Sequence, residues 1–358
     1  MKIEYYPWTE GVMQTALDIF EKGGLPCLDL ELGAKCSHKI QNSGCIYCDS
    51  YDRVGKNAQN ELTKKQLINL VEQGIRLGLR WIYICGLGEP KDNPDLKAVV
   101  KYVFENGIGI SVFSNGIGYS KKDIKFLHDN KVNLVIKCDS LNPEVFNKLL
   151  GGKKAFQHKV AESIYKTINS LIDSGYSQNP EDPDLALSIV PTKLNISEIP
   201  AVIKFCKKWN LFPLIGELES AGRASKGYGK LAPSNEQLEM LRKDVEKILG
   251  FDYDIPPCPA AFAGLHISNI GECFVHEESG LSCPWFTLLE PNIKVLGTIR
   301  TSSLAELRQR LIEYRKNLRE SGALRKWMRK FTEGQHHVFG GCGGLKLMQL
   351  LTCTHMGE

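Results

Sequence analysis

Three cysteines within thirteen positions form the densest group of potential ligands in the chain. Cys36, Cys45 and Cys48 lie in the segment "CSHKIQNSGCIYCDS". The last two could form a disulfide, with the first to spare. All three could bind zinc together with His38, since zinc takes four nitrogen or sulfur ligands in a tetrahedron. They could also hold an iron–sulfur cluster with one iron left open for a ligand.

The overall composition excludes several classes of protein. The chain of 358 residues is 42% hydrophobic, and 45 basic and 41 acidic side chains give a formal charge of +4. This balance supports a nucleic-acid partner only weakly. The N-terminal segment lacks the apolar core of a signal peptide, and no stretch approaches the roughly 18 apolar residues of a membrane span. We therefore expect a cytoplasmic protein with no membrane partner.

From about residue 27 the sequence alternates short apolar runs with longer segments of helical periodicity. The runs are "LDLEL", "WIYIC", "GISVFS", "VNLVIK", "LALSIV" and "LFPLI", and helical patterns lie between them. Six strand–helix units predict an α/β fold with a parallel sheet, a partial (β/α)6 TIM-like barrel. In such folds the site lies at the carboxyl ends of the strands, where glycine and polar residues occur here.

These patterns divide the chain into three parts. Residues 1–26 are an N-terminal extension, residues 27–235 the partial barrel, and residues 236–358 a small C-terminal metal-cluster domain. The last part contains a basic region, 307–331, that could contact phosphates. Its pattern favours a pair of amphipathic helices with a solvated charged face.

The twelve cysteines have different expected roles. Thiols stay reduced in the cytoplasm, so metal binding is favoured over disulfides. A loop that wraps a metal supplies several ligands from one short stretch, because neighbouring ligands need little additional chain closure. Cys27 is expected to pack beneath the barrel. Three further cysteines fall within strand or helix patterns and are expected core residues: Cys85, Cys138 and Cys206.

Five short motifs follow one another along residues 27–235: "LELGAKC…GCIYCDS", "GLGEP", "FSNG", "VIKCDS" and "ESAGRA". In this order they resemble the radical S-adenosylmethionine (radical SAM) enzymes. One departure concerns the cysteines: the common family spacing is C-x3-C-x2-C, whereas this chain has C-x8-C-x2-C, an enlarged first loop. Expanded variants occur among family members, so the departure affects the assignment to a subfamily and leaves the cluster assignment unchanged.

The resemblance implies a set of cofactors. Cys36, Cys45 and Cys48 would hold a [4Fe–4S] cluster whose fourth iron binds the amino and carboxylate groups of S-adenosylmethionine. A reducing partner such as flavodoxin or ferredoxin is implied as well. The other motifs would contact the cofactor through an aromatic ring, through glycines that let backbone approach closely, and through a balancing carboxylate. These positions are Tyr47, Gly86, Gly88, Glu89, Ser114, Asn115, Asp139 and Ser188.

The C-terminal part resembles the auxiliary-cluster extensions called SPASM or twitch domains, through "CPAAFAGLHISNIGECFVH", "LGTIRTSSLAELRQ" and "GGCGG". The resemblance implies one auxiliary [4Fe–4S] cluster. Where the family has a cysteine this chain has His276, which is therefore a substitute ligand, and Cys353 is a spare. A zinc-bound structural lobe on these residues is the alternative. The expected ligand set is Cys258, Cys273, Cys283 and Cys342.

The reaction implied by the resemblance is reductive cleavage of S-adenosylmethionine to a 5′-deoxyadenosyl radical, which abstracts a hydrogen atom from a substrate carbon. The expected catalytic residues are Lys137, Glu217, Glu219 and Arg223, at strand ends; structural ion pairing near the barrel rim is the alternative. Lys137 and Asp139 share parity on their strand, so both are expected to point inward.

The substrate is expected to be a small-molecule metabolite, because only about 26 residues precede the first strand and leave no room for a leader-peptide-binding domain. The auxiliary cluster would then assist a net oxidation or rearrangement. Three other functions stay open: a maturase of ribosomally synthesised peptides (RiPPs), a nucleoside- or RNA-modifying enzyme, and a non-catalytic iron–sulfur sensor or nucleic-acid-binding protein.

Overall fold

A computed structural model describes residues 10–39, 44–56, 58–179, 184–253, 258–282 and 293–334. These residues build one sheet of nine strands covered by helices. The strands are β1 (Cys27–Leu30), β2 (Trp81–Ile84), β3 (Gly109–Ser114), β4 (Asn133–Lys137), β5 (Leu185–Ile189), β6 (Phe212–Ile215), β7 (Gly264–Ile267), β8 (Glu272–His276) and β9 (Ile293–Thr298).

Helices precede or follow most strands. Four of the longer ones begin with a capping box, in which a serine or threonine and the third helical residue bind each other's backbone, as Thr63 and Gln66 do. The helices are α1 (Glu10–Glu21), α2 (Lys64–Arg76), α3 (Leu96–Glu105), α4 (Lys121–Asp129), α5 (Pro143–Leu149), α6 (Lys153–Gln157), α7 (Val160–Asp173), α8 (Ile199–Trp209), α9 (Gly222–Ser225), α10 (Tyr228–Leu231), α11 (Asn235–Leu249), α12 (Pro259–Ala263), α13 (Leu304–Glu320) and α14 (Ala323–Gly334).

The sheet is mostly parallel and unclosed. Its strand order is β6-β5-β4-β3-β2-β1-β7-β8-β9. The first seven strands in this order, β6 to β7, are each parallel to their neighbours. β8 pairs antiparallel with β7, and β9 pairs antiparallel with β8. The predicted α/β fold with six strand–helix units is therefore confirmed, and the open sheet is a partial barrel.

The two faces of the parallel strands differ in chemical character. A Cβ added to Gly74 of α2 would meet Leu28 Cδ1 at 3.4 Å, so Leu28 faces that helix. Ile136 of β4 likewise lies beside Ile164 of α7. Because side chains alternate along a strand, the residues between these aliphatic positions point to the opposite, inner face. Lys137 is one of them, as its predicted parity requires.

The C-terminal strands continue the barrel sheet. β7 pairs in parallel with β1, and β8 and β9 extend the sheet beyond it. The basic region forms the expected helix pair, α13 and α14. Arg308 of α13 donates hydrogen bonds to the carbonyl oxygens of Phe20 and Gly24, which ties the pair to the end of α1. Within the described ranges, the helices are too short or too polar to cross a membrane.

Arg315 joins α13 to α12 through buried backbone carbonyl groups. Its Nη1 donates to the Phe262 oxygen at 2.6 Å, its Nε to the Gly280 oxygen at 2.9 Å and its Nη2 to the Ala261 oxygen at 3.3 Å. Burial lowers the pKa of this guanidinium to about 9. The carbonyl groups therefore take the place of water around a buried charge.

Replacing Arg315 by alanine should lower the free energy of unfolding by about 3 kcal/mol, because three buried carbonyl oxygens each lose a hydrogen bond, although that of Ala261 keeps one from the Ser282 N–H. Urea unfolding followed by circular dichroism measures this loss. The control is Lys316→Ala, which removes an exposed ion pair with Glu320 at 3.8 Å. That variant should lose less than about 0.5 kcal/mol. Equal losses in the two variants would contradict the anchoring role of Arg315.

Candidate active site

The cysteine loop follows β1 at the carboxyl edge of the sheet, and its residues 40–43 lie outside the described ranges. Cys36, Cys45 and Cys48 are each half-buried. Burial, followed by the charge of Cys45, raises the pKa of Cys36 to about 12. Burial is also the main reason why the pKa values of Cys45 and Cys48 are raised. Thiols in such a setting need a bound metal to become thiolates.

The thiols and His38 do not converge on a single point. Across the described part of the chain, no three histidine, cysteine, aspartate or glutamate side chains are close enough to hold one metal ion. The ring of His38 is buried, and burial lowers its pKa. A four-iron cluster is less restrictive, since each thiolate binds a different iron. The arrangement therefore fits a cluster better than the zinc alternative.

The segment after β6 clamps the cysteine loop. Arg223 Nη1 donates to the Gly44 oxygen at 2.7 Å and the Cys45 oxygen at 3.4 Å, and its backbone N–H donates to the Cys48 oxygen at 3.0 Å. Gly222 has φ of +52°, and a Cβ there would lie 2.4 Å from the Cys48 oxygen. Only glycine allows this approach of two backbones.

The "GLGEP" segment after β2 packs against the start of the cysteine loop. A Cβ at Gly88 would lie 2.4 Å from the Gly33 oxygen and 2.5 Å from the Lys35 oxygen. Gly86 has φ of +110°, and its Cβ would lie 2.9 Å from Glu31 Cγ. The sequence suggested that these glycines admit a cofactor. The structure adds a second reason, which is contact between two segments of the chain itself.

Glu89 is held by the end of β3. Its carboxylate accepts hydrogen bonds from Ser114 Oγ and from the Asn115 backbone N–H, both at 2.7 Å. Burial outweighs these bonds and raises the pKa of Glu89 to about 7. Asn115 Nδ2 lies 4.0 Å from Cys36 Sγ. The predicted cofactor residues of β2 and β3 thus form one surface beside the first thiol.

Tyr47, Asp139 and Lys137 form a second group, beside the cysteine pair. The Tyr47 hydroxyl donates to the Asp139 carboxylate. Lys137 Nζ lies 3.3 Å from that carboxylate and 4.4 Å from the centre of the Tyr47 ring. Asp139 also accepts from the Val190 N–H at 2.8 Å, and Ser188 lies opposite Lys137 in the strand register. These contacts favour the ion-pair alternative for Lys137.

Glu217 and Glu219 follow β6, and both are half-buried. Burial raises the pKa of Glu219 to about 8, helped by the charges of Glu217 and Asp49. Of the four predicted rim residues, Lys137 and Arg223 are bound to groups of the chain itself. Glu217 and Glu219 are the candidates for contact with a substrate, because both are partly exposed at the carboxyl end of a parallel strand.

A chain of buried charges on the inner face was missed by the sequence reasoning. Arg53 Nη2 donates to both carboxylate oxygens of Glu31, at 2.8 and 2.9 Å. His266 of β7 lies 3.7 Å from Glu31 Oε1 and 3.6 Å from Asp29 Oδ1. Burial opposes its protonation, but the two carboxylates raise the pKa of His266 to about 9. The overlooked signal was the alternation of acidic residues with leucine in "LDLEL", since a strand buried on both faces is usually apolar throughout.

The cysteines that the sequence assigned to the core are buried, as expected. They are Cys27, Cys85, Cys138 and Cys206. Cys85 donates its thiol hydrogen to Asp29 Oδ1 at 3.1 Å. None of these four positions needs a metal to explain its burial.

Of the predicted auxiliary ligands, the structure describes Cys258, Cys273 and the substitute His276. Cys258 precedes α12. Burial of Cys27 is the main reason why the pKa of Cys27 is raised, and the charge of Cys258 is the second. Cys273 is fully buried on β8. His276 Nδ1 accepts a hydrogen bond from the Ser279 backbone N–H at 3.2 Å. The remaining candidates lie outside the described residues: Cys283, Cys342 and Cys353.

Comparison with known proteins identifies the barrel. Residues 31–206, which contain the three cysteines and the polar strand ends from β2 to β5, match the radical SAM superfamily. Residues 31–206 are a radical SAM domain. The radical SAM domain therefore coincides with most of the predicted partial barrel.

Curated relatives of the chain that contains this radical SAM domain are distant. It is 25% identical over 182 residues to a probable GTP 3′,8-cyclase of Methanococcus maripaludis strain C5, covering 50% of this chain and 54% of the relative. A probable GTP 3′,8-cyclase of Thermococcus kodakarensis is 26% identical over 243 residues, with 64% and 71% covered. A tungsten-containing aldehyde ferredoxin oxidoreductase cofactor-modifying protein of Pyrococcus furiosus is 24% identical over 179 residues, with 50% and 47% covered. The chain thus spans about half the length of the first and third of these proteins.

Solved structures share the radical SAM fold. Streptococcus suis SuiB bound to S-adenosylmethionine superposes with a TM-score of 0.56 at 17% identity, covering 82% of this chain and 68% of SuiB. The protein anSMEcpe with bound AdoMet gives a TM-score of 0.57 at 14% identity, with 81% and 82% covered. Identities this low establish the fold alone.

Replacing Gly222 by alanine should leave roughly half or less of the normal iron after anaerobic reconstitution, because the added Cβ would overlap the Cys48 oxygen at a positive φ. The matched control is Gly227→Ala, where an added Cβ meets nothing within 4 Å. Iron analysis measures the effect, and circular dichroism separates a local change from general unfolding. Equal iron in folded samples of both variants would show that the clamp is dispensable.

Proposed function

We propose that this protein is a radical SAM enzyme that cleaves S-adenosylmethionine reductively and abstracts a hydrogen atom from a substrate held inside the partial barrel. The observation that supports this most strongly is the grouping of Cys36, Cys45 and Cys48 at the carboxyl edge of the sheet, beside the network of Glu89 and Asn115. Ligands in parallel α/β folds bind at this edge.

The three cysteines would hold the cluster, each through a thiolate. When bound, the cluster and S-adenosylmethionine supply a 5′-deoxyadenosyl radical that can remove hydrogen from an unactivated carbon. Glu89 would accept a hydrogen bond from the amino group of the cofactor; in support, its carboxylate is buried and held by Ser114 and Asn115. Tyr47 would lie against adenine, with its ring fixed by the bond to Asp139. Ser188, beside Lys137, completes the proposed cofactor surface.

The substrate side of the site is assigned to Glu217 and Glu219. Each is partly exposed at the end of β6, and the raised pKa of Glu219 would let this carboxyl group exchange a proton near neutral pH. Arg223 acts as a positioning residue for the cysteine loop. Lys137 acts likewise on Tyr47 and Asp139.

We favour a small metabolite as the substrate, with net oxidation or rearrangement. The compound to test first is GTP, because two of the relatives described above are named probable GTP 3′,8-cyclases. A peptide is the second candidate, since SuiB has been solved with its precursor peptide SuiA. A sensor without catalysis would have no use for a buried, pre-oriented carboxylate at Glu89. A small electron-transfer protein such as flavodoxin or ferredoxin is the proposed reductant.

Residues 236–358 are proposed to form a SPASM- or twitch-like part that binds one auxiliary [4Fe–4S] cluster. Four cysteines would ligate it fully, which suits electron transfer from a substrate radical or structural support. His276 is the less suitable ligand of the set, because its Nδ1 already accepts a hydrogen bond within its own turn. The proposed ligands are Cys258, Cys273, Cys283 and Cys342.

Alanine at position 36, 45 or 48 should abolish formation of 5′-deoxyadenosine from S-adenosylmethionine and dithionite, because each cysteine would bind a different iron. Chromatography of the reaction mixture measures the product. Cys27→Ala is the matched control and should retain the activity, since Cys27 is buried on β1. If Cys27→Ala were inactive and Cys36→Ala active, the assignment of the ligands would be wrong.

The anaerobically reconstituted protein should hold about eight irons per chain, from two four-iron clusters, and about four after triple replacement of Cys36, Cys45 and Cys48 by alanine. Cys258→Ala should also lose about four irons while still forming 5′-deoxyadenosine. Iron, sulfide and zinc analyses check both variants. About four irons in the unaltered protein, together with stoichiometric zinc, would contradict the auxiliary cluster.

A further inference from the structure

Five polar side chains line the inner face of the sheet at one level. The strand register places Asp29 of β1 opposite both Tyr83 of β2 and His266 of β7. Tyr83 lies opposite Ser111 of β3, which lies opposite Asn133 of β4. All five are buried, with between 1% and 4% of their surface exposed. We call these five residues the polar row.

The polar row has no counterpart on the outer face. The residues that precede Asp29, Tyr83, Ser111 and His266, and the residue that follows Asn133, are all aliphatic: Leu28, Ile82, Ile110, Leu265 and Leu134. Strands buried on both faces are usually apolar on both. The polar row is therefore a departure that packing alone does not explain.

Three atoms of the polar row have no hydrogen-bond partner among the described residues. They are Tyr83 Oη, Asn133 Oδ1 and His266 Nδ1. The nearest carboxylate to His266 Nδ1 is Asp29 at 3.6 Å, which is beyond hydrogen-bond length. Buried polar atoms without partners destabilise a fold, and they are rare. Within the described part of the chain, Tyr83 Oη and Asn133 Oδ1 have no hydrogen bond, and His266 Nδ1 has only its long ion pair with Asp29. These atoms on three separate strands point to a molecule that binds there and supplies the missing hydrogen bonds.

The charges around the polar row are balanced. Asp29 and Glu31 provide two carboxylates, and Arg53 and His266 provide two cations, because those carboxylates keep the imidazole of His266 protonated near neutral pH. A charged ligand would add a buried charge without a counter-charge, at a large desolvation cost. A neutral ligand that donates and accepts hydrogen bonds avoids that cost.

The polar row is placed to hold a substrate rather than the cofactor. Asn133 and Lys137 share the inner face of β4, and Lys137 lies next to Tyr47 beside the cysteine pair. The polar row is at the opposite end of this strand, toward the amino ends of the sheet. A molecule resting on it would therefore lie on the same wall as the cofactor surface and deeper in the barrel.

We propose that the polar row is the floor of the substrate site and that Tyr83, Asn133 and His266 hydrogen-bond an uncharged hydroxyl- or amide-bearing group of a small substrate. This inference rests on the proposed function, since the radical must be formed above the row. It assigns recognition of an uncharged polar group of the substrate, whatever charges that molecule carries elsewhere, to residues for which the sequence motifs suggested no role.

The test uses three small probes that have three carbons each and share a hydrogen on a hydroxyl-bearing carbon. Propane-1,2-diol is neutral, lactate is anionic and 1-amino-2-propanol is cationic. Each is fully deuterated on carbon and incubated with the reconstituted full-length protein, dithionite and S-adenosylmethionine. Mass spectrometry gives the deuterium fraction of the 5′-deoxyadenosine formed. We expect the diol to transfer at least about tenfold more deuterium than either ion, because only the ions bury an uncompensated charge.

Variants separate the polar row from the rest of the barrel. Tyr83→Phe and Asn133→Leu each remove one polar group and should reduce the deuterium fraction from the diol by about tenfold. Ile82→Val, on the outer face of β2, should keep the unaltered fraction. Equal deuterium from all three probes, or no change in the two polar-row variants, would overturn the inference. Absence of 5′-deoxyadenosine in every sample would instead refute the proposed function, because deuterium is scored only in product that has formed.

Discussion

The position of the cysteine loop depends on one contact between backbones that follow strands far apart in the sheet. β1 and β6 are separated by four strands, and in a flat sheet they would lie about 24 Å apart. The loops that follow them nevertheless touch, because Gly222 lies against the Cys48 carbonyl and Arg223 binds the carbonyls of Gly44 and Cys45. The partial barrel brings the ends of these strands closer together than a flat sheet would, and the contact fixes the two loops against each other. The same contact orients the half-buried cysteines at the carboxyl edge.

Charges inside this curved sheet are stabilised in pairs. The Asp139 carboxylate is fully buried and bound by Tyr47 and Lys137, and Glu31 is bound by Arg53. A buried charge without a partner would destabilise the fold by roughly several kcal/mol, so charged groups on the inner face must be paired. Because Lys137 and Arg53 are already bound, neither is a free cation for a substrate. This is the physical basis for expecting a neutral substrate group in the barrel.

The strands could be predicted from sequence because their signals are local, and the apolar runs located six of them. The spacing of Cys36, Cys45 and Cys48 left zinc and a cluster open, and the cluster stays a prediction that the order of the five motifs favours. The roles of Arg223 and of Gly88 depend on contacts with segments that are distant in the chain. A local sequence pattern cannot predict such contacts. The pairing of β7 with β1 is likewise a long-range contact between four-residue strands. Such short strands carry too little periodicity to be assigned to one sheet in advance.

The open iron proposed at Cys36, Cys45 and Cys48 is tested most directly by Mössbauer spectroscopy of protein reconstituted with iron-57. Spectra are recorded before and after addition of S-adenosylmethionine, without reductant. We predict that one iron per chain changes its isomer shift in the direction of added nitrogen and oxygen ligands, while every other iron keeps its sulfur-bound signature. A spectrum that the cofactor leaves unchanged would contradict an open iron at these three cysteines.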